Sequence, residues 1–379
     1  MLAACRALHR AGYEVTAASS TALAAAQWSR ACSHRIRVPD AGESSAGFVA
    51  RLCEELRRRP YATLIAGSDS SLLAISALRE HIEPLTRLGL PSRSAVQSAM
   101  HRERLAQAAS EVGMSTARTI LCSGPQQAIE AAEELGLPVA LKSVDAAHTG
   151  AAAVESAPKG EVVSTLAELA AAAVQFRDGM LLQEWVAGNV VSVGGVFAGE
   201  RLLAAATSRY LRMWPPQSGS VAFSETVPPP PGLLEAVGRL MLAIGWEGIF
   251  ELELIEAKAM AFVPIDLNPR PYGSMALANA AGAPLAAIWC DWLLGRGAPS
   301  QPGTGERPPP VVARPGVRYR WEDGDLRHVA AQLSRHRYRA ALRALRPHQR
   351  VAHAHFQGSD PLPALARMLY LGKRVISDR

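Results

Sequence analysis

Residues 250–274 read FELELIEAKAMAFVPIDLNPRPYGS and contain two β-type runs, separated by a short segment that suits a hairpin. In the first run apolar and polar residues alternate, so one strand face packs on a core while the other presents Glu251 and Glu253. In the second run Asp266 and Asn268 alternate with apolar residues in the same way. The stretch therefore predicts two neighbouring, half-buried strands with polar groups on a shared face.

Antiparallel pairing of these strands fixes which polar groups face each other. If Glu253 lies opposite Asp266, then Glu251 lies opposite Asn268, because the sum of the paired residue numbers stays constant. Like charges placed directly opposite each other are destabilising, so the patch needs a compensating cation, either an arginine or a metal ion. Oxygen ligands with room left for water and phosphate suit Mg²⁺ better than Zn²⁺. An exposed hairpin whose acids are solvated separately is the alternative interpretation.

An arginine between two prolines follows the second strand. The prolines restrain the backbone of Arg270 at the end of the strand, next to the predicted metal site. A guanidinium fixed at that point is well placed to stabilise the negative charge of a transferring phosphoryl group. The pattern therefore favours a site for both metal and phosphate.

The length and composition limit the class of protein. A chain of 379 residues with 49% hydrophobic and 20% charged residues predicts about two or three folded domains rather than disorder. The five scattered cysteines contain no CxxC pair, so we expect no disulfides, no zinc site and a cytoplasmic location. We find no signal-peptide pattern and no run of about 18 uncharged apolar residues, so we expect no membrane partner.

Alternating helical and β patterns predict an α/β architecture. The first 95 residues have βαβ-type punctuation but open on a helix, and neither GxGxxG nor GxxxxGK[ST] occurs in the chain. Proline runs at 228–231 and 308–310 mark a loop and a linker. Nucleotide binding through either of those two glycine motifs is therefore excluded.

The last part of the chain is rich in arginine. Its arginines recur at intervals of three or four residues, on one face of a predicted helix, at Arg335, Arg339, Arg343, Arg346 and Arg350. Two interpretations stay open: a solvated basic face packed against the body of the protein, or a surface for an anionic partner. Nucleic acid is the less favoured partner because aromatic residues are sparse among these arginines.

Four motifs together resemble the ATP-grasp superfamily, in particular its ATP-dependent carboxylate–amine ligases. LPVALKS, LLQEWVAG, FELELI and IDLNPRPYGS follow one another in the order typical of that superfamily. The resemblance implies an α/β and α+β chain with an ATP-grasp domain at 96–298, divided into a small lobe at about 115–185 and a large lobe at about 186–298. It also implies a preceding Rossmann-like α/β domain at 1–95 that lacks its first strand. The remaining residues, 299–379, would form a linker and a basic, mostly helical C-terminal extension.

The resemblance also implies roles for individual residues. Magnesium would be bound by Glu253, Asp266 and Asn268, with Asp266 in place of the more usual glutamate. Arg270 would be catalytic, because it would steady the γ-phosphate and the acyl phosphate. The implied nucleotide-binding residues are Arg102, Lys142, Gln183, Glu184, Trp185 and Val186. The implied contacts to a carboxylate or amine substrate are Arg209, Arg212, Tyr272 and Ser274.

The reaction that the resemblance implies is the ATP-dependent joining of a carboxylate to an amine. ATP would convert the carboxylate into an acyl phosphate, the amine would displace phosphate, and ADP would be released, with two Mg²⁺ ions as cofactors. The expected substrates are small molecules, among them amino acids or a peptide. A homodimer is the expectation for the assembly.

Departures from the superfamily pattern support a second hypothesis, a nucleotide-binding protein of the same fold that has lost turnover. Arg102 stands where a phosphate-binding lysine is usual, which keeps the charge but changes the geometry. Val190 replaces the glutamate that holds the ribose hydroxyls. The loop after Lys142 keeps only Gly150 where several glycines usually wrap the phosphates.

Overall fold

The computed structural model describes the chain in seven segments: residues 1–143, 161–176, 179–216, 219–258, 262–296, 308–346 and 348–377. The prediction about Gly150 and its loop lies outside these segments. Among the helices that the segments contain, none combines the length and the apolar character needed to cross a bilayer.

The N-terminal region consists of short parallel strands connected by helices. Its helices are α1 (Leu2–Arg10), α2 (Ser45–Arg58), α3 (Asp69–Ala77) and α4 (Arg93–Met100), and its strands are β1 (Thr16–Ser19), β2 (His34–Arg37), β3 (Thr63–Leu64) and β4 (Arg87–Leu88). β1 pairs with β2 and β3 with β4, so the region contains two separate two-stranded sheets. A cavity of about 450 Å³ is lined by both sheets through residues 15–21 and 63–68. The Rossmann-like assignment stays a prediction.

A small antiparallel sheet follows helix α5 (Arg102–Glu111). Its elements are β5 (Thr119–Cys122), α6 (Pro125–Leu135), β6 (Val139–Ser143), β7 (Glu161–Val163), α7 (Leu166–Ala173) and β8 (Met180–Glu184). The strand order is β5-β8-β6-β7. α6 and α7 pack on the sheet around Ala128, Leu141, Leu169 and Leu182, which are all buried. This sheet carries Lys142 and Gln183 on adjacent strands.

The large sheet has eight strands. They are β9 (Asn189–Ala198), β10 (Arg201–Trp214), β11 (Ser220–Thr226), β12 (Gly248–Glu256), β13 (Phe262–Asn268), β14 (Val311–Val312), β15 (Arg318–Arg320) and β16 (Val351–His353). The order is β13-β12-β9-β10-β11-β15-β16, with β14 paired to β10. Three helices accompany this sheet: α8 (Leu233–Ala243), α9 (Met275–Ala280) and α10 (Leu285–Leu293). α8 shares one core with the sheet and the N-terminal region, and α9 and α10 share another with α1.

The C-terminal extension joins the large sheet through β15 and β16. Its helices are α11 (Glu322–Ser334), α12 (Tyr338–Ala344) and α13 (Leu362–Ser377). The prediction of one continuous helix through the arginine-rich segment is wrong, because the chain leaves α11 after Ser334 and begins α12 at Tyr338. His336, between these helices, has a positive φ of 55°, which an α-helix does not contain. The boundaries of the three proposed domains stay a prediction.

The centre of the large sheet allows a close approach of an aromatic ring. Gly194 lies on β9, and a Cβ atom at this position would overlap the hydroxyl of the buried Tyr272. Gly238 lies on α8 and has open space around its missing Cβ atom. The two glycines therefore make a matched pair for a test of packing.

We expect Gly194→Ala to lower the free energy of unfolding by about 1–3 kcal/mol, because the phenol ring must move away from the sheet. We expect Gly238→Ala to raise it by up to about 1 kcal/mol, because alanine favours a helix interior. Urea unfolding of both variants measures the difference. Equal stability of the two variants would contradict the close packing of Tyr272 on β9.

Candidate nucleotide and metal site

The register of the two acidic strands is the one that the sequence predicted. In the antiparallel pair β12–β13, Glu251 lies opposite Asn268 and Glu253 lies opposite Asp266. The next pair joins Leu254 to Pro264, so Ile265 is the extra residue of a β-bulge. The bulge matters because the carbonyl of Ile265 accepts a hydrogen bond from outside the sheet, as described below.

Two glutamates lie on one face of β12, with Glu251 buried and Glu253 half-buried. Glu251 is 4% exposed, and its carboxylate accepts hydrogen bonds from Ser274 Oγ at 2.9 Å and Asn268 Nδ2 at 3.3 Å. The Tyr210 hydroxyl donates to Glu253 Oε1 at 2.9 Å and lies 3.4 Å from Glu251 Oε1. A hydroxyl carries only one proton, so it cannot satisfy both carboxylates fully.

Electrostatics in this cluster disfavour a full set of negative charges. Burial raises the pKa of Glu251, and burial together with the charges of Glu251 and Asp266 raises the pKa of Glu253. Raised values mean that the protonated carboxyl groups are favoured until a cation comes close. A divalent cation beside them would offset the repulsion and favour the ionised carboxylates.

The residues predicted as metal ligands fit magnesium in their chemistry. Glu253, Asp266 and Asn268 supply only hard oxygen atoms, and two of them are repelling carboxylates on one strand pair. Across the described segments, no three His, Cys, Asp or Glu side chains already converge as a metal-binding group. The predicted set differs from such a group because its third member is an amide. The ligand assignment therefore stays a prediction.

Lys142 connects the small sheet to β13. Its Nζ atom donates hydrogen bonds to Gln183 Oε1 at 2.8 Å and to the bulged Ile265 carbonyl at 3.0 Å. Burial and, to a smaller extent, the charge of Arg102 lower the pKa of Lys142 to about 8, against the charges of Asp266 and Glu253, which raise it. An ammonium has three N–H groups, so one remains for a ligand such as a phosphate oxygen.

Arg102 also reaches the acidic strand. It is the first residue of α5, and its Nη2 atom donates to Asp266 Oδ1 at 3.3 Å. Lys142 and Arg102 thus bring two cations to the same strand edge as the carboxylates. Arg102 and Asp266, which the structure brings together, lie 164 positions apart in the sequence.

The residues predicted for the adenine slot lie on β8 and just after it. Gln183 is held at both ends of its amide, since Nε2 donates to Thr119 Oγ1 at 3.0 Å and Oε1 accepts from Lys142. Glu184 pairs with Arg118: its backbone N–H donates to the Arg118 carbonyl at 2.8 Å, and its side chain lies 3.6 Å from the guanidinium. Lining of an adenine slot stays a prediction for these residues.

The segment between β8 and β9 runs from the small sheet to the large sheet. Trp185 and Val186 lie in this segment and are half-buried. Val186 and Val190 pack in an apolar cluster with the buried Ile255 and Val263. Val190 therefore has a packing role at the position where the superfamily resemblance implies a ribose-binding glutamate.

Arg270 has a partner that the sequence did not reveal. Its Nε and Nη2 atoms donate to the two oxygens of Asp69 at 2.7 and 2.8 Å, and Nη2 also donates to Asn268 Oδ1 at 3.1 Å. Asp69 begins α3, directly after the capping residue Ser68. The stretch GSDSS after a β-type run predicts a helix start, but nothing in it predicts a contact 201 residues away.

The four residues predicted to contact substrate have different surroundings. Arg212 forms a bidentate ion pair with Asp325 of α11, with distances of 2.5 and 2.9 Å. Arg209 lies 3.1 Å from Glu256, and Ser274 donates to Glu251. Tyr272 packs on β9, as described above. The structure therefore gives each of the four a partner within the protein, and their contact with substrate stays a prediction.

Known proteins with a similar structure are found, but none is found by similarity of sequence. No family model matches the sequence, and no curated protein matches it. A carboxyaminoimidazole ribonucleotide synthetase from Thermus thermophilus is 17% identical, with a TM-score of 0.58 over 84% of this chain and 78% of that one. An L-amino acid ligase from Bacillus licheniformis is 13% identical, with a TM-score of 0.57 over 76% and 70%.

A third similar structure is the biotin carboxylase domain dimer of 2-oxoglutarate carboxylase from Hydrogenobacter thermophilus, in complex with MgADP, ADP and bicarbonate. It is 14% identical, with a TM-score of 0.59 over 83% of this chain and 70% of that one. These likenesses show that the chain has the fold of the ATP-grasp carboxylate–amine ligases, as the four sequence motifs predicted.

The geometry around Lys142 predicts a direct effect on nucleotide binding. We expect Lys142→Met to weaken ATP binding about ten- to a hundredfold, because a charge-assisted hydrogen bond contributes about 1.5–3 kcal/mol. Lys258→Met, which changes an exposed lysine of the β12–β13 hairpin, serves as the control and should bind like the unmodified protein. Isothermal calorimetry measures both, and equal affinities for the two variants would refute the assignment.

The pairing of Asp69 with Arg270 predicts energetic coupling between the N-terminal region and the site. In a double-mutant cycle of Asp69→Ala and Arg270→Ala, we expect a coupling energy of about 1–3 kcal/mol. Arg79 and Glu83 form a more exposed ion pair, in which Arg79 Nε donates a hydrogen bond to Glu83 Oε1 at 2.7 Å. The coupling energy of this control pair should be no more than about 0.5 kcal/mol. Urea unfolding supplies the four free energies of each cycle. A coupling near zero for the first pair would contradict the bidentate contact.

Proposed function

We propose that the protein is an ATP-dependent ligase that joins a carboxylate to an amine through an acyl phosphate and releases ADP and phosphate. The observation that carries the proposal is the polar edge of β13. Asp266 faces Glu253 on this edge, Asn268 faces Glu251, and Arg270 follows at its end. Phosphoryl transfer depends on positioning and on stabilising negative charge, and an edge with these groups supplies both.

Glu253, Asp266 and Asn268 are the residues that would hold magnesium, with two ions proposed. Bound Mg²⁺ would neutralise charge on the phosphoryl oxygens. The repulsion that Glu253 experiences from its acidic neighbours, which contributes to its raised pKa, supports a cation site, because a bound cation would offset that repulsion. The presence of MgADP in one similar structure supports the use of ATP and magnesium.

The cationic side chains would divide the work along the triphosphate. Lys142 would bind the α- and β-phosphates, with Arg102 close by on the other side of Asp266. Arg270 would stabilise the transferring phosphoryl group and the oxygens of the acyl phosphate. Asp69 would orient Arg270, since four of its five N–H groups already point at Asp69, Asn268 and the Pro271 carbonyl.

The proposed substrates are a small-molecule carboxylate and an amine, among them amino acids or a peptide. The structural likeness to an L-amino acid ligase supports this substrate class. Among the four residues predicted to contact substrate, Tyr272 and Ser274 are favoured because they lie closest to Arg270 in the sequence. A homodimer and a cytoplasmic location complete the proposal, and the likeness to a biotin carboxylase domain dimer supports the former.

A specific observation supports a second candidate function, a nucleotide-binding protein of the same fold without turnover. Val190 contributes only apolar contacts at the position implied for ribose binding, and Arg102 is already hydrogen-bonded to Asp266. Such a protein would bind ATP without releasing ADP. The two candidates therefore predict different products from the same assay.

The test is to supply ATP, Mg²⁺ and pools of carboxylates and amines and to identify the nucleotide that is released. We expect ADP and phosphate in amounts that depend on both Mg²⁺ and a carboxylate–amine pair, because the acyl phosphate forms by transfer of the γ-phosphoryl group. Release of AMP would exclude this mechanism. Magnesium-dependent ATP binding with no ADP from any pool would favour the second candidate.

The same assay tests the role of Arg270. Arg270→Ala should bind ATP with nearly unchanged affinity and lose at least about a hundredfold in turnover, because the lost guanidinium acts mainly on the transition state. Arg104→Ala, which changes an exposed arginine on α5, should retain full turnover. Unchanged turnover in Arg270→Ala would remove Arg270 from the mechanism.

A further inference from the structure

The C-terminal extension exposes large apolar side chains on two neighbouring helices. On α11, Leu326 is 66% exposed and Leu333 is 46% exposed, and they follow each other at i and i+7 on one side of the helix. Ala330 lies between them at i+4 and is also exposed. Apolar residues at this spacing form a stripe that a folded protein normally covers.

α12 and its last turn repeat the same pattern. Tyr338, Leu342 and Leu345 are 57%, 66% and 56% exposed and occupy i, i+4 and i+7. An adjacent side of the helix is buried through Ala341 and Ala344. The exposed stripe is therefore a distinct face of α12, because the helix packs on the protein through its alanines.

The two stripes form one surface. α11 and α12 pack together around Val329, Ala341 and Ala344, and only residues 335–337 connect them. Their shared core and short connection favour a roughly antiparallel arrangement of the two helices. Viewed along each helix from its N-terminus, the exposed stripe is rotated in the same direction from the residues buried between the helices. In an antiparallel pair, this rotation turns both stripes toward the same side of the pair. We call this surface, formed by Leu326, Leu333, Tyr338, Leu342 and Leu345, the α11–α12 face.

The segment that carries the α11–α12 face has charge of one sign. Residues 326–350 contain seven arginines and no aspartate or glutamate. Arg339, Arg343 and Arg346 are exposed on the side of α12 next to its stripe, and within the described segments they form no ion pair. An exposed apolar stripe bordered by unpaired arginines is complementary to a partner with apolar and acidic residues.

The acidic residues at the start of α11 do not reduce this positive charge. Asp325 is buried between Arg212 and Arg320, with the Arg320 contact at 3.0 Å. Asp323 pairs with Arg367 of α13 at 2.7 Å. Asp325 thus holds α11 to β10 and Asp323 holds it to α13, while Arg339, Arg343 and Arg346 stay exposed.

We propose that the α11–α12 face binds an acidic amphipathic helix of a partner protein. Two apolar stripes, each about two helical turns long, match the apolar anchors that a docked helix presents at i, i+3 or i+4, and i+7. A second copy of this chain would place arginines against arginines, which is unfavourable. This inference is independent of the proposed ligase activity.

The first measurement uses two synthetic peptides with leucines at the same helical spacing. One carries glutamate at its polar positions and the other carries lysine. Fluorescence anisotropy with the full-length protein should show at least about tenfold tighter binding of the acidic peptide, and this binding should weaken as salt is raised. Failure of the acidic peptide to bind, or equal binding of both peptides, would overturn the proposal.

Matched variants locate the binding surface. Leu342→Asp and Arg343→Glu should each weaken binding of the acidic peptide by at least about tenfold. Leu242→Asp changes a leucine of α8 that is 52% exposed and should leave binding unchanged. All three changes lie on exposed positions, so circular dichroism should show the same helix content as in the unmodified protein. Equal losses in Leu342→Asp and Leu242→Asp would place the binding elsewhere and overturn the proposal.

Two further controls test the alternative occupants of the α11–α12 face, a lipid bilayer and a second copy of the chain. Sedimentation with vesicles of phosphatidylserine tests a lipid surface, and analytical ultracentrifugation tests self-association. Vesicle binding that Leu342→Asp abolishes, without binding of the acidic peptide, would show a membrane-facing surface and contradict a helical partner. A dimer that Leu342→Asp dissociates would show that the α11–α12 face joins two copies of this chain.

Discussion

The repulsion among the closely spaced carboxylates on β12 and β13 is the constraint to which the rest of the site responds. The strand register fixes Glu251 and Glu253 beside each other and places Asp266 opposite Glu253. Each group around them offsets part of the electrostatic cost. The hydroxyls of Tyr210 and Ser274 donate to the glutamates. A cation bound beside them would offset the remaining repulsion, and this is the physical basis of the proposed magnesium site.

Arginine–carboxylate pairs connect the sheet to both ends of the chain. Asp69 of the N-terminal region holds Arg270, and Asp325 of the C-terminal extension holds Arg212. Each pair joins a strand-end residue to the first turn of a helix. The side chains at the end of β13 therefore depend on how the N-terminal region packs, although none of the acidic strand residues belongs to that region.

The low identity to similar structures and the clear agreement in fold have one explanation. Strand alternation, chain order and the placement of a few charged residues define the fold, and these features tolerate replacement of most other side chains. Two departures from the superfamily pattern, at Arg102 and Val190, are replacements of single residues. Val190, for example, enters an apolar cluster with Ile255 and Val263, so its change of character is absorbed by packing.

The sequence by itself determined the strands β12 and β13, the register between them and the fold that its four motifs imply. Period-two alternation makes a strand register readable, because a shift by one residue would turn every apolar side chain to solvent. Only the tertiary structure decided that Asp69 holds Arg270, that Lys142 reaches the Ile265 carbonyl, and that the arginine-rich segment breaks into two helices. These features depend on contacts between residues far apart in the chain or on packing, and local patterns carry no record of either.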